Sequence, residues 1–549
     1  MNKKINLEYI VKGRDIFSDK RGKIENFKLP EKINLVATIT SKPNTLRSNH
    51  YHPIQQQKCL LIKGRYISVY KDLKEKNSPR ITHVIDEGDL VVTEPMVAHT
   101  MVFSKSSIFL NLVNGEREHR NYGKTHTLPY QLVSEYEKNF LFYNYKYDCR
   151  VCFSKSLKRV LSLGFQPLAN NFSKNTSHKT YPLELNLCTS CKNLQLSIIP
   201  NFKKLFSKYL YKSSISNSFS EHFFDAAQNY INLFKLKKNS FIIDIGSNDG
   251  VGLIPFKEKG FKNILGIEPA SNLAKESKKK GIKVLNEFFN KKSVQKIKKK
   301  ADLILASNVF AHGDNLKEMA ISMIHLLKKN GKIVIEVQYL PRMLKDLTFD
   351  NIYHEHVNYW SLTTLTKFFS DLKCKIYKAE LIETHGGSIR VYISKNTKIK
   401  KDKSLSKIFL YEKKISINKE KTYDDFEKNI FLIKKNFIKN IQFLKKKYKK
   451  IIGYGAPAKA TTALNYFGVK NDLIDSIIDD NTLKINRYIP GTGIKIISSK
   501  SITKKQKCIL VLAWNMFDEI KVKNQKLSSN FISIKDLYDK DFIKNFLPN

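Results

Sequence analysis

A short apolar strand, a glycine turn and the start of a helix occur in this order twice, and that pair constrains the fold more than any other feature of the chain. The first copy is Ser240-Phe-Ile-Ile-Asp244-Ile, then Gly246-Ser-Asn248-Asp249-Gly250, with a helical pattern from near Leu253. The second is Lys450-Ile-Ile-Gly453-Tyr-Gly455-Ala-Pro-Ala-Lys459-Ala-Thr461. A strand that turns on glycine into a helix opens a βαβ unit, and a doubly wound sheet binds nucleotides at that turn. Further apolar runs continue each copy: Ile264–Ile267, Asp302–Asn308 and Gly331–Glu336 after the first, Leu473–Ile478, Lys495–Ile497 and Cys508–Trp514 after the second. Two α/β Rossmann-like domains are expected.

The first turn carries cofactor signals. Its Asp-x-Gly-x-x-x-Gly spacing departs from the Gly-x-Gly-x-x-Gly of dinucleotide folds, and the next strand ends in Glu268, placed to accept from both ribose hydroxyls. Asp244, Gly246, Asn248, Asp249, Gly250 and Glu268 are therefore assigned to S-adenosyl-L-methionine (SAM) in preference to NAD. Asn286 to Phe289 are expected against the adenine, and Asn308 with His312 along the cofactor. No acidic residue is read as clearly ending the strand after the second turn. That turn is assigned to the pyrophosphate of a substrate, through Gly453, Gly455 and the charge of Lys459.

Four of the seven cysteines form two doublets, Cys149-x2-Cys152 and Cys188-x2-Cys191. Four thiolates close a tetrahedral zinc site with no position left for water, so this zinc is structural. Such usage fits a reducing compartment better than a disulfide framework. No apolar stretch is long enough for a membrane helix, and the N-terminus lacks a secretory h-region, so a cytoplasmic protein without membrane insertion is expected.

The 97 Lys plus Arg against 50 Asp plus Glu raise nucleic-acid binding as one reading. Lysine supplies nearly all of that charge, in runs at 278–280, 298–300 and 445–449 that suit solvated helix faces, whereas arginine, whose fork suits base and phosphate recognition, is scarce. The charge is assigned to solvated surface and to attraction of anionic substrates, with no specific nucleic acid; an RNA-associated protein is the binding-class alternative.

Residues 1 to about 135 show short alternating apolar stretches and no helical period, the pattern of a small β-barrel or jelly roll. There His50-x-His52, Gln57, Gly64, Gly88, Pro95 and His99 resemble the two-part signature of the cupin family. His50 and His52 share a strand face, and His99 could join them inside the barrel. Gln57 stands where metal-binding cupins carry Glu, which leaves a cupin metal open. The segment RSNHYHP with KCLLIKG resembles cupins of nucleotide-sugar modification. That resemblance implies a barrel that isomerises or epimerises a keto sugar through paired histidines without metal, or one that holds the sugar. A homodimer would form through this barrel.

Leu163-Gly-Phe-Gln-Pro-Leu-Ala-Asn170 and Tyr209-Leu-Tyr211-Lys-Ser-Ser-Ile-Ser216 extend the pattern. From about residue 145 onward the chain resembles the SAM-dependent sugar C-methyltransferases, which methylate a ring carbon of nucleotide-linked 4-keto-6-deoxy sugars. Methylation at carbon needs a base for the proton alpha to the carbonyl and donors for the enolate oxygen. Tyr353-His354-Glu355-His356 supplies such groups. His356 is the expected base, Glu355 its support, and Tyr353 with Tyr211 the donors; which of Tyr209 and Tyr211 faces the site is open. His385-Gly-Gly-Ser-Ile-Arg390 matches a segment of the family, with Arg390 holding substrate or structure.

The expected architecture is multidomain: an all-β cupin barrel over 1–135, a zinc-binding module over 145–205, a SAM-dependent methyltransferase domain over 206–405, and a C-terminal Rossmann-like substrate domain over 406–549. The expected partner is a nucleotide-linked keto sugar, and the product is destined for surface polysaccharide or deoxysugar biosynthesis. The enzyme-class alternative is non-methylating chemistry on the same scaffold.

Overall fold

The computed structural model describes residues 7–11, 14–19, 22–27, 29, 32–75, 78–114, 127–200, 205–207, 209, 212–215 and 217–546. The chain divides into two compact units, one of Met1–Tyr145 with Ser162–Phe165, the other of Lys146–Leu161 with Gln166–Asn549.

In the first unit, two five-stranded antiparallel sheets share one core. One runs Glu8–Val11, Leu90–Thr93, Gln57–Lys63, Ser107–Val113, Leu35–Ser41; the other runs Leu128–Pro129, Leu46–Tyr51, Val97–Phe103, Arg65–Asp72, Ile81–Asp86. Alternation turns Cys59, Leu61, Val91 and Phe109 of the first sheet toward Tyr66, Ile85, Met101 and Phe103 of the second. The same inner face therefore carries Gln57, two residues before Cys59, and His99, two before Met101. A helix follows at Glu135–Asn144, started by a capping box between Ser134 and Glu137.

The second unit contains three sheets that bear on the site. The cysteine doublets flank antiparallel strands Thr180–Cys188 and Leu194–Leu196, and Asn358–Tyr359 pairs with Leu194–Leu196 as an edge strand. The central sheet has seven strands in the order Val284–Leu285, Ile264–Ile267, Ile242–Ile245, Ala301–Ser307, Leu327–Gln338, Ser388–Ser394, Lys375–Ile382. The first five are parallel and the last two antiparallel to their neighbours. Strand order reverses between Ile242–Ile245 and Ala301–Ser307, which opens a crevice at their carboxyl ends. The helix expected from Leu253 is a single short segment, Ile254–Glu258, because Pro255 allows a first turn and Gly260 at φ +81° ends it soon after.

The C-terminal sheet is wholly parallel: Lys495–Ile497, Ser476–Ile478, Ile452–Tyr454, Ile509–Val511, Phe531–Ser533. Its fifth strand lay outside the expectation, since three residues at Phe531–Ser533 carry almost no period. Two helices precede this sheet, Lys403–Ile415 and Glu420–Tyr448, separated at Ser416 in the left-handed region. The second buries Tyr423, Phe426, Ile430, Ile433, Phe437, Ile441 and Leu444, one stripe at helical spacing. Thr461 Oγ1 donates to the Ala169 carbonyl at 2.9 Å and Thr462 Oγ1 to the Ile352 carbonyl at 3.1 Å, which sets the second glycine-turn helix against the segment that precedes His356.

Candidate active site

A cavity of about 480 Å³ opens in the crevice of the central sheet. Asp244, Gly246, Asn248, Glu268 and Asn308 all border it. Gly246 has φ +70°, and a Cβ there would meet Val309 Cγ2 at 2.9 Å, so both the turn and the close approach require glycine. The Asn248 N–H donates to Glu268 Oε2 at 2.8 Å and the Ala270 N–H to Oε1 at 2.8 Å, which pins the carboxylate at the end of its strand. Asp244 is buried beside it; burial first, then the Glu268 charge, pushes its carboxyl up to about 8. Asn308 Nδ2 and Ser247 Oγ are buried with no hydrogen-bond partner among the described residues. Two carboxylates, a glycine cradle and unsatisfied amide and hydroxyl groups fit a nucleoside with free ribose hydroxyls.

Asp249 and Gly250 do not join that group. Asp249 faces away to pair with Lys280 at 2.7 Å, and a Cβ on Gly250 would meet Ser277 Oγ at 2.6 Å, so this glycine serves helix packing. Asn286 spends its amide on the Glu268 carbonyl at 2.7 Å, while Phe288 and Phe289 line the cavity.

The Tyr353–His356 segment is a loop bordering the same cavity through Tyr353 and His356. His356 Nδ1 lies 2.9 Å from the Asn351 carbonyl and Nε2 lies 2.8 Å from the Tyr353 hydroxyl. A carbonyl only accepts, so Nδ1 carries the proton and Nε2 accepts from Tyr353. Glu355 and His354 are buried away from the cavity. Tyr209 Oη donates to Glu355 Oε2 at 2.7 Å, and Asn170 Nδ2 donates to the same carboxylate at 2.8 Å. Burial raises the Glu355 carboxyl, an effect the two hydrogen bonds oppose. Tyr209 and Asn170 line the cavity, so Glu355 stands one residue behind its wall. Tyr211 lies outside the described residues. His354 donates to the Pro182 carbonyl at 3.2 Å, and burial lowers its imidazole to about 4, which makes it a neutral core histidine. His312, likewise lowered to about 4 by burial, stacks on His356 with ring centroids 5.1 Å apart.

Arg390 does not line the cavity. It is 5% exposed and binds Glu336 through Nε at 3.0 Å and Nη2 at 2.9 Å, with His222 Nε2 at 3.0 Å from the other Glu336 oxygen. Burial would raise the Glu336 carboxyl, but the His222 hydrogen bond and the Arg390 charge outweigh it and hold it at about 2. Gly453 and Gly455 are also away from the cavity: a Cβ on Gly453 would meet Ile477 Cγ1 at 2.8 Å and one on Gly455 would meet Ala513 Cβ at 2.7 Å. Lys459 does line it. Burial lowers its ammonium to about 8 against the opposing charge of Asp350, and its Nζ lies 4.5 Å from the centre of the Trp514 ring. An acidic residue does end the second strand here: Asp479 Oδ2 accepts the Ala456 N–H at 2.7 Å, the counterpart of Glu268 on Asn248, and is spent on the loop.

The four cysteine sulfurs lie within 4.8 Å of one another, with Cys149 to Cys191 at 3.5 Å and Cys152 to Cys188 at 3.6 Å. Zinc–sulfur bonds of about 2.3 Å in a tetrahedron put sulfurs about 3.8 Å apart, so these thiols fit zinc. Arg150, between the doublet's first two cysteines, reaches the Leu196 carbonyl at 2.8 Å and the Val357 carbonyl at 3.4 Å.

In the first unit, His50, His52 and His99 form a ring cluster with centroids 4.8 to 5.4 Å apart. Burial first, then the other two imidazoles, lowers His99 well below the usual range. Gln57 is on the inner face, its Oε1 buried with no hydrogen-bond partner among the described residues. Glu8, 5% exposed, adds a carboxylate there, accepting from Ser68 Oγ at 2.9 Å and Thr93 Oγ1 at 3.1 Å.

Sequence reading missed Asn351, Gln338, Phe206 and Glu8 as site residues. Asn351 could have been flagged by its place two residues before Tyr353; the others carry no local signal.

Three family models match successive stretches that lie, but for Ser162–Phe165, in the second unit. Residues 149–206 match the family model described as "Putative zinc binding domain", 219–378 "Methyltransferase domain", and 383–533 "C-methyltransferase C-terminal domain". The C-methyltransferase NovU of Streptomyces niveus is 27% identical over 388 residues, which cover 69% of this chain and 92% of that protein. Among solved structures, magnesium protoporphyrin IX methyltransferase from Synechocystis PCC 6803 aligns at 12% identity over 31% of this chain and 80% of its own, with a TM-score of 0.26. The sugar 3,4-ketoisomerase QdtA from Thermoanaerobacterium thermosaccharolyticum aligns at 17% identity over 21% of this chain and 86% of its own, with a TM-score of 0.19. None of the described helices is long and apolar enough to cross a membrane.

Proposed function

We propose that this chain, whose residues 149–533 match zinc-binding, methyltransferase and C-methyltransferase C-terminal family models, is a SAM-dependent C-methyltransferase whose acceptor is a nucleotide-linked 4-keto-deoxy sugar methylated at a carbon beside the keto group. The observation that carries this reading is the hydrogen-bonded run from the Asn351 carbonyl through His356 to the Tyr353 hydroxyl, ending in the cavity that Asp244, Glu268 and Asn308 also border.

SAM, held by Glu268, Asn308 and the Gly246 turn, supplies an electrophilic methyl group when bound. The chain's own task is to make the sugar carbon a nucleophile. Asn351 keeps His356 Nδ1 protonated, which leaves Nε2 free of its own proton and able to take another. The proton alpha to the carbonyl leaves through the Tyr353 hydroxyl, whose proton already points at Nε2, so the base ends as imidazolium and the sugar as enolate. Glu355 holds Tyr209 and Asn170 against the cavity rather than touching the substrate. Lys459, a buried cation, attracts the diphosphate or the developing enolate charge. Aromatic walls, among them Phe206, Phe219 and Phe223, keep water from the reacting centre.

The first unit acts on the same class of compound in this reading. His50, His52 and His99, with Gln57 beside them, isomerise, epimerise or hold a keto sugar. The protein works in the cytoplasm, in surface polysaccharide or deoxysugar biosynthesis.

The test is mass spectrometry after incubation with methyl-labelled SAM and a panel of nucleotide-linked 4-keto-6-deoxy sugars. Label on a sugar carbon is expected. Bound SAM with no transfer to any member of the panel would sink the reading.

A further inference from the structure

We propose that the buried carboxamides of Asn351 and Gln338 read a hydroxyl on a carbon flanking the keto group of the acceptor, selecting hydroxylated sugars over their deoxy counterparts; this rests on the keto-sugar reading above. Asn351 is 1% exposed, and neither Oδ1 nor Nδ2 has a hydrogen-bond partner among the described residues. Because both ends stand alone, exchanging the oxygen and nitrogen assignments changes nothing. Gln338, the last residue of the strand Leu327–Gln338, has a buried Oε1 in the same condition. Both residues border the cavity that Tyr353 and His356 border.

Buried polar groups in folded proteins are nearly always paired, so a doubly orphaned carboxamide on a residue that borders a cavity calls for a specific reason. Its position supplies one. The backbone carbonyl of Asn351 holds His356 Nδ1 at 2.9 Å, so the residue that orients the base also presents the carboxamide. A hydroxyl on a carbon flanking the keto group sits on the reacting carbon or directly across the carbonyl from it, close to the proton that the base removes. A carboxamide offers donors at one end and an acceptor at the other, and Gln338 Oε1 adds a second acceptor. A neutral hydroxyl donates and accepts, and so meets both; a methylene does neither. Sites built on buried hydrogen-bonding groups reject the analogue that lacks the partner far more strongly than apolar pockets reject a missing methylene.

The experiment uses the full chain and the 3-hydroxy and 3-deoxy forms of one nucleoside-diphosphate 4-keto-6-deoxyhexose. Equilibrium binding of each is measured by calorimetry, and kcat/KM by methyl transfer. The wild type is expected to prefer the hydroxylated form by at least about tenfold in both. Asn351→Leu removes most of that preference while SAM affinity is retained and the melting temperature does not fall, because the apolar isostere leaves no orphaned amide. Gln338→Leu removes a smaller share. An unchanged preference in Asn351→Leu, or a fall in stability with the preference intact, assigns the amide to structure and overturns the proposal. Methyl transfer to both sugars at equal rates by the wild type overturns it while leaving the keto-sugar reading standing. A wild type that neither binds nor methylates either sugar removes both.

Discussion

Tyr209 Oη donates to Glu355 Oε2 at 2.7 Å across 146 positions of sequence, and only the tyrosine faces the cavity. Glu355 therefore acts through Tyr209 and Asn170. Glu355→Gln is expected to lower kcat by about tenfold, less than loss of the base would. Tyr209→Phe and Glu355→Gln should be strongly non-additive, because one removes the donor of their shared hydrogen bond and the other removes the charge of its acceptor. Fully additive losses in a double-mutant cycle would show that Glu355 acts elsewhere.

In the proposed reaction His356 and Tyr353, in contact at 2.8 Å, form one proton path. His356→Asn should reduce methyl transfer on the order of 10² to 10⁴-fold, and Tyr353→Phe should fall in the same direction, with SAM binding kept in both. Exchange of the sugar's alpha proton with deuterium, followed by NMR without SAM, separates the steps. Exchange that continues in His356→Asn would move the base to another residue.

Asp244 supplies a pH dependence. Its carboxyl is raised to about 8 in the fold, against about 3.9 in an unfolded chain. A raised carboxyl contributes stability that is fully present below about 4 and is lost as the pH rises through about 8. Without added SAM, the melting temperature should decline from pH 5 to pH 8.5, and Asp244→Asn should flatten that decline. Parallel curves for wild type and variant would count against a neutral Asp244.

Arg390 is expected to matter for folding and not for substrate affinity. Arg390→Met leaves Glu336 buried with only His222 and the Thr384 hydroxyl among the described residues, a loss of about 3 to 5 kcal/mol in denaturant unfolding. KM for the keto sugar should stay within twofold in whatever fraction folds. A large KM change at unchanged stability would restore Arg390 to the substrate site.

Zinc should couple to the active site through the edge strand Asn358–Tyr359, which follows His356 and pairs with Leu194–Leu196 beside the cysteines. Arg150 reinforces the link at the Val357 carbonyl. Metal removal by chelation, or Cys188→Ser, should lower zinc content, melting temperature and methyl transfer together. Transfer that survives complete loss of zinc would uncouple the two.

Much of the cofactor end was legible in the sequence because its constraints are local. Gly246 is needed by the turn it forms, and Glu268 follows its strand directly, so both could be placed from neighbours alone. Asp249 and Gly250 show the limit of that reasoning. They belong to the same motif, yet one faces Lys280 and the other Ser277, partners about thirty residues away that the motif cannot specify. Arg390 is read as holding substrate or structure for a similar reason: a glycine-rich approach to a buried arginine reads the same whether Glu336 or a ligand is at its end.

By itself the sequence determined the layer classes, the two glycine turns and the four thiols, since strand period, turn chemistry and ligand type are properties of adjacent residues. Only the tertiary structure decided which groups meet. Asn170, Tyr209, Asn351 and Lys459 converge from segments nearly 300 positions apart, and Glu355 is turned behind the wall while its neighbour His356 is turned into the cavity. Those choices depend on side-chain direction in a loop held between the strands beside the cysteines and the helix Ala458–Phe467, and no local pattern encodes a loop's partners.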